Sequence, residues 1–565
     1  MQPKWELVES RPHEEIEALA KTANVPYTIA RILINRGIDT ADAVRKFFEP
    51  SPDDLHDPYL MTDMEPAVDR IIDALHRRER VAVYGDYDVD GITSVSMLYL
   101  FLKDLGGDVI SYIPDRQAEG YGLSCAGIDA IAEQGAQLVV TVDCGITSVD
   151  ESKYAVSKGL ELIITDHHEP GEEIPKASAV LDPKRSDCTY PYKELAGVGV
   201  AYKMAMAIAG KLGLEEDYCE KYIDLVALGT SADIVPLTDE NRIFVKQGLD
   251  KLNTSPEVGM AALVESASIR NGRIDVGQIV FNIAPRINAV GRLGSALRAV
   301  QLLTTRDKTS SREIAKILEE ENRRRKEIDN TTLVDAITEV RETMNPNNRY
   351  SIVLAREGWH PGVIGIVASR LIERYYRPTV MITIENGLGK GSARSIANVD
   401  IFSALKECSD LLEQFGGHKY AAGLTIPEEN IPKFKDRFEE ACERLIKEDD
   451  LVRKIKIESE ISLDEITNEV VESLKMFEPF GPQNTRPTFV SRGLASAYAP
   501  RIVGQNHLKF IAEQGGVKFD AIGFNLGDRI DHFGNGNRSV DMVYVIEEND
   551  YMNRRTTQLR IKDIR

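Results

Sequence analysis

From about residue 78 to residue 250 the chain repeats one pattern, and that pattern limits the folds open to it. Short apolar runs, Val81–Tyr84, Val109–Ile113, Leu138–Val142, Leu162–Thr165 and Ala179–Leu181, alternate with stretches of helical spacing such as Ser94–Leu105, Ile128–Gln134 and Ser148–Lys158. Short apolar strands separated by helices of this length predict a parallel sheet covered by those helices, an α/β domain. In such sheets the ligand site lies beyond the carboxyl ends of the strands.

The polar chemistry collects at those ends. The first strand runs into Asp86-Tyr-Asp-Val-Asp-Gly91. If the extended geometry persists, Asp86, Asp88 and Asp90 crowd one side of the chain. Three like charges so close are unfavourable unless water or a cation screens them. Alone, the run reads equally as a solvated acidic turn. Two later strands end in the same way, one in Asp143-Cys-Gly145 and one in Asp166-His-His168. Each alone is a helix cap or polar turn as readily as a site. Three strand ends on one edge predict a metal site. Oxygen ligands with one or two histidines suit Mn²⁺ or Mg²⁺ better than a structural zinc. The ligands suffice for two ions, which would activate a water and stabilise charge on phosphate oxygens. The residues therefore point to hydrolysis of a phosphoester or phosphoanhydride. Asp233, in the apolar run Ala227-Leu-Gly-Thr-Ser-Ala-Asp-Ile-Val-Pro-Leu237, needs a partner, either a metal or an arginine.

Residues 1–75 read as a small helical region, 76–250 as the α/β domain, and 251–345 as a helical linker. Within the linker, Asp307 to Met344 has the composition of a solvent-bridging helix, with Arg323-Arg-Arg-Lys326 on a solvated face paired with Glu319, Glu320 and Glu321 in preference to a DNA contact. The loop-like Pro285-Arg-Ile-Asn-Ala-Val-Gly-Arg292 could hold a phosphate or make structural ion pairs. Residues 346–450 form a second α/β unit with three Gly-rich segments, Gly358–Gly365, Gly389–Ser395 and Phe415–Gly423. There glycine would let amides approach an anion, and Ser392, Arg394, His418 and Lys419 add donors. Residues 451–565 alternate as short strands (Lys454–Glu458, Thr488–Val490, Leu508–Ile511, Phe519–Gly523 and Met542–Ile546) around a helix Leu463–Met476, which fits an OB-like barrel.

Composition narrows the class. With 42% hydrophobic and 28% charged residues the chain is that of a soluble globular protein. No apolar run approaches the ~20 residues of a membrane span, and no secretory signal opens the chain. Six cysteines without CxxC spacing predict reduced thiols and a cytoplasmic protein. The net charge of −21 argues against a broad, indiscriminate nucleic-acid surface but not against a narrow basic channel.

The ordered set Asp-Tyr-Asp-Val-Asp-Gly, Val-Asp-Cys-Gly, Thr-Asp-His-His and Ala-Leu-Gly-Thr-Ser-Ala-Asp-Ile-Val-Pro resembles the four motifs of DHH-superfamily phosphoesterases. Gly389–Ser395 and Phe415–Gly423 resemble the accompanying DHHA1 domain. With the OB-like tail, nearly the whole chain resembles the RecJ-type exonucleases. The resemblance implies a single-stranded-DNA-specific 5′→3′ exonuclease that releases 5′-mononucleotides in DNA repair and recombination. It implies two divalent ions, Mn²⁺ or Mg²⁺, on Asp88, Asp90, Asp143, His167 and Asp233, with Asp143 bridging. Asp86, Asp166 and His168 stand as catalytic residues near the ions. Ser392, Arg394 and Arg116 resemble the anchor for the 5′ end, and Arg286, Asn288, Arg292 and His418 resemble contacts to the next phosphates. A single-strand-binding protein and a RecQ-type helicase are the partners so implied. Two other readings stand beside this one: a phosphodiesterase of short oligonucleotides or cyclic dinucleotides, and a non-catalytic replication scaffold.

Overall fold

A computed structural model describes residues 2–116, 118–269, 272–534, 538–551 and 554–565. The chain divides into two compact units, one built on Glu319–Ile455 with Arg292–Gly294, the other on Glu6–Gly291, Ser295–Leu318 and Lys456–Arg565. The helix Lys308–Thr343 has residues in both.

The larger unit contains the expected parallel sheet. Its strands lie in the order Asp108–Tyr112, Arg80–Gly85, Leu138–Val142, Glu161–Thr165, Ala179–Leu181, every pair parallel. The central strand Leu138–Val142 is buried throughout, and separate apolar clusters cover the two faces. Val81, Val83, Leu138 and Val140 pack on one side, and Ala82, Tyr84, Val139 and Ile164 on the other. This is why the strands read as continuous apolar runs rather than alternating ones. The first strand has the second on one side and the third on the other. The strand order therefore reverses at the ends of Arg80–Gly85 and Leu138–Val142, where a doubly wound sheet opens its crevice.

The run after the first strand departs from the extended reading. The strand stops at Gly85; Asp88 is the cap of the helix Val89–Asp104, its Oδ1 accepting the Gly91 N–H at 3.1 Å, and Asp90 lies in that helix's first turn. A Cβ on Gly91 would fall 2.4 Å from the Asp86 carbonyl oxygen, so glycine there lets the helix start against the strand end. A tight strand-to-helix turn, not a pleat, gathers the carboxylates.

The same unit holds a closed barrel of Phe489–Ser496, Val540–Tyr551, Arg554–Ile564, Val517–Gly523 and His507–Gln514, closed by the pairing of Ala495 with Glu513. The barrel is OB-like, but its membership differs from the sequence reading. Lys454–Ile457 lies outside the ring, and Arg554–Ile564 completes it. A bulge opposite Val543 and Tyr544 interrupts the alternation of that last strand and hides it among charged residues. The helices Tyr27–Asn35 and Ala41–Phe48 share the barrel's core, with Leu33, Phe48, Phe477 and Phe489 in one apolar cluster.

The smaller unit has a five-stranded sheet in the order Gln414–His418, Ala421–Pro427, Leu388–Arg394, Thr379–Glu385, Ile352–Glu357. The last pair is parallel and is joined through the helix Pro361–Tyr375; the other pairings are antiparallel. Gly389–Ser395 thus lies mainly on a strand, and Phe415–Gly423 on two strands and the turn between them, rather than in loops. A Cβ on Gly389 would fall 2.7 Å from Ile382 Cγ2, and one on Gly391 would fall 2.8 Å from Leu424 Cδ1. Glycine is there because larger side chains on neighbouring strands cover it.

In the long helix, Arg325 departs from a fully solvated face: it is buried and its Nη2 donates to Asn322 Oδ1 at 2.9 Å.

Candidate metal centre

The ends of three parallel strands and of one helix converge. Asp86, Asp88 and Asp90 follow the strand Arg80–Gly85, Asp143 follows Leu138–Val142, Asp166, His167 and His168 follow Glu161–Thr165, and Asp233 closes the helix Ile223–Ala232. The Nε2 of His167 lies 3.1 Å from Asp143 Oδ1, 3.5 Å from Asp233 Oδ2 and 3.8 Å from Asp90 Oδ2. Asp90, His167 and Asp233 form one group spaced to hold a cation, and Asp143, His167 and His168 a second.

The surroundings of these side chains are specific. Asp90 sits at the N-terminus of the helix Gly197–Lys211, where Gly197 N–H donates to Oδ2 at 2.6 Å and Val198 N–H to Oδ1 at 3.0 Å. Asp143 holds a left-handed backbone with φ 59°, an uncommon conformation for a side chain that a functional site can maintain. Asp166 Oδ1 accepts from the amides of His167 and His168 and from His168 Nδ1 at 2.7 Å, and its Oδ2 accepts from the Ile146 amide at 2.9 Å. That bond places the proton of a neutral His168 on Nδ1 and leaves Nε2 to accept from the Tyr121 hydroxyl at 3.1 Å.

The electrostatics call for a cation. Asp143 Oδ1, Asp86 Oδ1 and His167 Nε2 are buried without a hydrogen-bond partner among the described residues. Burial, with the neighbouring carboxylates, pushes Asp86, Asp143 and Asp233 well above the usual range and Asp90 up to about 7. Burial, with the charge of His168, pulls His167 down to about 3. Asp166 behaves oppositely: against its own burial, the bond from His168 and the Ile146 amide hold it low. Carboxylates that cannot all ionise beside a neutral imidazole are a ligand set for a divalent ion. The donors, oxygen with imidazole, fit Mn²⁺ or Mg²⁺.

The structure brings together Asp86, Asp88, Asp90, Asp143, Asp166, His167, His168 and Asp233. Arg116 lies on the same unit, its guanidinium 4.9 Å from the Tyr87 ring centroid and near enough to Asp86 to oppose the rise in its pKa. Arg286 departs from the phosphate-contact reading. The segment around it is the helix Ala284–Leu293 rather than a loop, and the buried guanidinium donates to the carbonyls of Asn282 and Ser266. Asn288 is half-buried on that helix. His418 is exposed at the end of an edge strand.

In the smaller unit, Arg292, Ser392 and Arg394 meet at the first turns of the helix Pro361–Tyr375. Arg292 Nη1 donates to the Gly362 carbonyl at 2.9 Å, and Arg394 Nη1 donates to Ser392 Oγ at 3.0 Å. A Cβ on Gly365 would fall 2.8 Å from Ser392 Oγ and 2.9 Å from Arg394 Nη2. A helix N-terminus with two arginines and a hydroxyl suits a phosphate.

Sequence reasoning did not single out Gly197, Val198 or Asp182. Asp182 follows the strand Ala179–Leu181, is fully buried, and has an Oδ2 without a partner among the described residues. Burial, with Asp166 nearby, pushes it up to about 7. The signal for it was the same as for its neighbours: an acid directly after an apolar run.

Known proteins resemble the chain along most of its length. The family model for the DHH family, N-terminal domain, matches residues 80–230, that for the DHHA1 domain 347–444, and that for the RecJ OB domain 457–563. The single-stranded-DNA-specific exonuclease RecJ of Bacillus subtilis is 38% identical, over 99% of this chain and 70% of its own length. The Escherichia coli protein of the same name is 34% identical, over 99% of each chain. The solved structure of RecJ from Thermus thermophilus in complex with Mn²⁺ is similar with a TM-score of 0.86 at 30% identity, covering 100% of this chain and 79% of that one.

Proposed function

The chain belongs to the RecJ family of DHH phosphoesterases, and from that membership we propose how its own residues carry out hydrolysis. It is a metal-dependent exonuclease specific for single-stranded DNA. The reading proposed here adds the residue roles, the release of 5′-mononucleotides and the 5′→3′ direction. The observation that supports it most is the buried pair Asp143 Oδ1 and His167 Nε2 at the sheet's carboxyl edge, 3.1 Å apart and without a hydrogen bond among the described residues.

Asp88, Asp90, Asp143, His167 and Asp233 would hold two divalent ions between them. The ions, when bound, activate a water and offset charge developing on the phosphate oxygens. Asp166 is a positioning residue, because its oxygens are occupied by neighbouring donors. It fixes the imidazole plane of His168 and, against that ring's burial, favours its protonated form, whose Nε2–H donates to the scissile phosphate. Asp86 stands behind the ligands, where its burial disfavours a further full charge.

Arg292, Ser392 and Arg394, with the first turns of Pro361–Tyr375, hold the terminal 5′ phosphate. An anchor for one chemically distinct end fixes the direction of degradation. Arg116, Asn288 and His418 are further backbone contacts. A role in DNA repair and recombination in the cytoplasm accords with this chemistry and would call for a single-strand-binding protein and a RecQ-type helicase as partners.

The test is degradation with Mn²⁺ of single-stranded DNA labelled at either end, beside a matched blunt duplex and a dinucleotide. Early release of the 5′ label as mononucleotide, with the duplex intact, is expected. Early release of the 3′ label would reverse the direction, and cleavage of the dinucleotide alone would replace the exonuclease with an oligonucleotide phosphodiesterase.

A further inference from the structure

Asp143 Oδ1 has no hydrogen-bond partner among the described residues, and its backbone sits at φ 59°. Beside the His167 imidazole, 3.1 Å from that oxygen, the carboxylate's position is set by what it packs against. That contact is Gly197. A Cβ on Gly197 would lie 2.6 Å from Asp143 Cβ, 2.6 Å from Oδ1 and 2.8 Å from Cγ. The same residue holds a second carboxylate by its amide, 2.6 Å from Asp90 Oδ2, while the next amide, Val198, reaches Asp90 Oδ1 at 3.0 Å. Amides at a helix start favour a charged carboxylate.

The helix cannot retreat from this position. Val198, Val200, Ala201, Met204 and Ala205 are all buried in the core beneath the sheet, and close-packed interiors resist such shifts. Gly229 presses from another side: a Cβ there would fall 2.8 Å from Asp90 Oδ1 and 2.9 Å from Val198 Cγ1.

We propose that Gly197 is a positioning residue that sets the separation of Asp90 from Asp143, and through them the separation of the two cations. Its amide fixes one carboxylate and its missing side chain admits the other. This rests on the reading of Asp90 and Asp143 as ligands.

The test is titration of the full chain with Mn²⁺, followed by electron paramagnetic resonance for affinity and for the spin-coupled signal of a neighbouring pair. A wild-type protein that binds no coupled pair overturns the ligand reading itself. With wild type behaving as a pair, Gly197→Ala is expected to raise the Mn²⁺ Kd at least tenfold and abolish the coupled signal, with far-ultraviolet circular dichroism unchanged. Wild-type affinity or wild-type coupling in that variant overturns the proposal. Should Gly197→Ala fail to fold, the double variant Gly197→Ala/Asp143→Gly decides. It removes the Cβ that the new methyl strikes and gives the positive-φ position a glycine. A thermal transition matching that of Asp143→Gly alone supports the proposal, and a double variant that also fails to fold overturns it.

Discussion

Asp166 is ringed by donors: the amides of Ile146, His167 and His168 and the imidazole of His168 all point at it. A carboxylate so occupied orients a neighbour rather than binding a metal. Asp166→Asn replaces one acceptor oxygen with an NH₂ that faces these donors. It is expected to lower Mn²⁺ affinity or turnover about 10–100-fold, the usual effect of disturbing a residue that holds a ligand in place, while the fold persists. Mn²⁺ titration with steady-state kinetics would check this, and wild-type values in both would show that Asp166 does not act through the histidines. The sequence makes this residue visible as part of a motif but not its task. The task depends on the Ile146 amide, twenty positions upstream, which comes into range only when two strands pair in parallel. Asp86, Asp88 and Asp90 illustrate the converse. Their grouping is legible in sequence, while the geometry that produces it, a cap and a first helical turn, is masked by a spacing that also suits a strand.

Elements carry information that no single motif contains. The alternation of apolar runs and helical stretches discloses the sheet because strands buried on both faces must be apolar throughout. Gly389 and Gly391 mislead because glycine serves both a loop near an anion and a strand under bulky neighbours, and only the register with Ile382 and Leu424 separates the two. The helix Pro361–Tyr375, with Arg394 at its first turns, is the candidate anchor for the anion. Arg394→Ala should reduce the preference for 5′-phosphorylated over 5′-hydroxyl ends by about tenfold or more, since a hydrogen bond to a charged group contributes ~1.5–3 kcal/mol. Rates on the two substrates would measure it, and an unchanged ratio would place the anchor elsewhere. The helix Asp239–Thr254 makes a different kind of join. Its Arg242 is buried and donates to the carbonyls of Phe47, Met476, Phe477, Glu478 and Pro479, at 2.8–3.4 Å. One guanidinium thus links an N-terminal helix to the segment that enters the barrel. Lysine cannot reach these acceptors together; Asn484 also donates to the Phe477 and Pro479 carbonyls, and each of the other buried carbonyls left unpaired costs ~1–3 kcal/mol. Arg242→Lys should therefore lose at least ~3 kcal/mol in denaturant unfolding, whereas a loss within about 0.5 kcal/mol (the level of a neutral surface change) would show that water replaces the clamp.

Across the whole molecule the net charge is −21, and several of its acids are concentrated where burial resists their ionisation. A free carboxylate has a pKa of about 3.9. Asp90 stands at about 7 in the folded chain, and Asp86, Asp143 and Asp233 are also raised. Between those limits these carboxylates bind more protons in the folded state than in the unfolded one, so their contribution to metal-free stability falls as pH rises from about 4 through about 7. His167, held down at about 3, contributes the opposite slope up to its free value of about 6.5. A divalent ion reverses the trend. It binds the ionised carboxylates and the neutral His167, displaces their protons, and stabilises only the folded chain. At low pH protons compete with the metal; at high pH the metal meets bare charge. The difference in Tm between the Mn²⁺-loaded and chelator-treated protein should therefore widen from about pH 5.5 to about pH 8 by a few degrees, since 1 kcal/mol corresponds to ~2–4 °C in a domain of this class. Thermal unfolding at fixed ionic strength would measure it. In Asp143→Ala the widening should shrink, because one raised carboxylate and one ligand are removed together. A difference that stays constant or narrows with pH would mean that the cluster is already compensated inside the fold, and would remove the physical reason for placing the cations there.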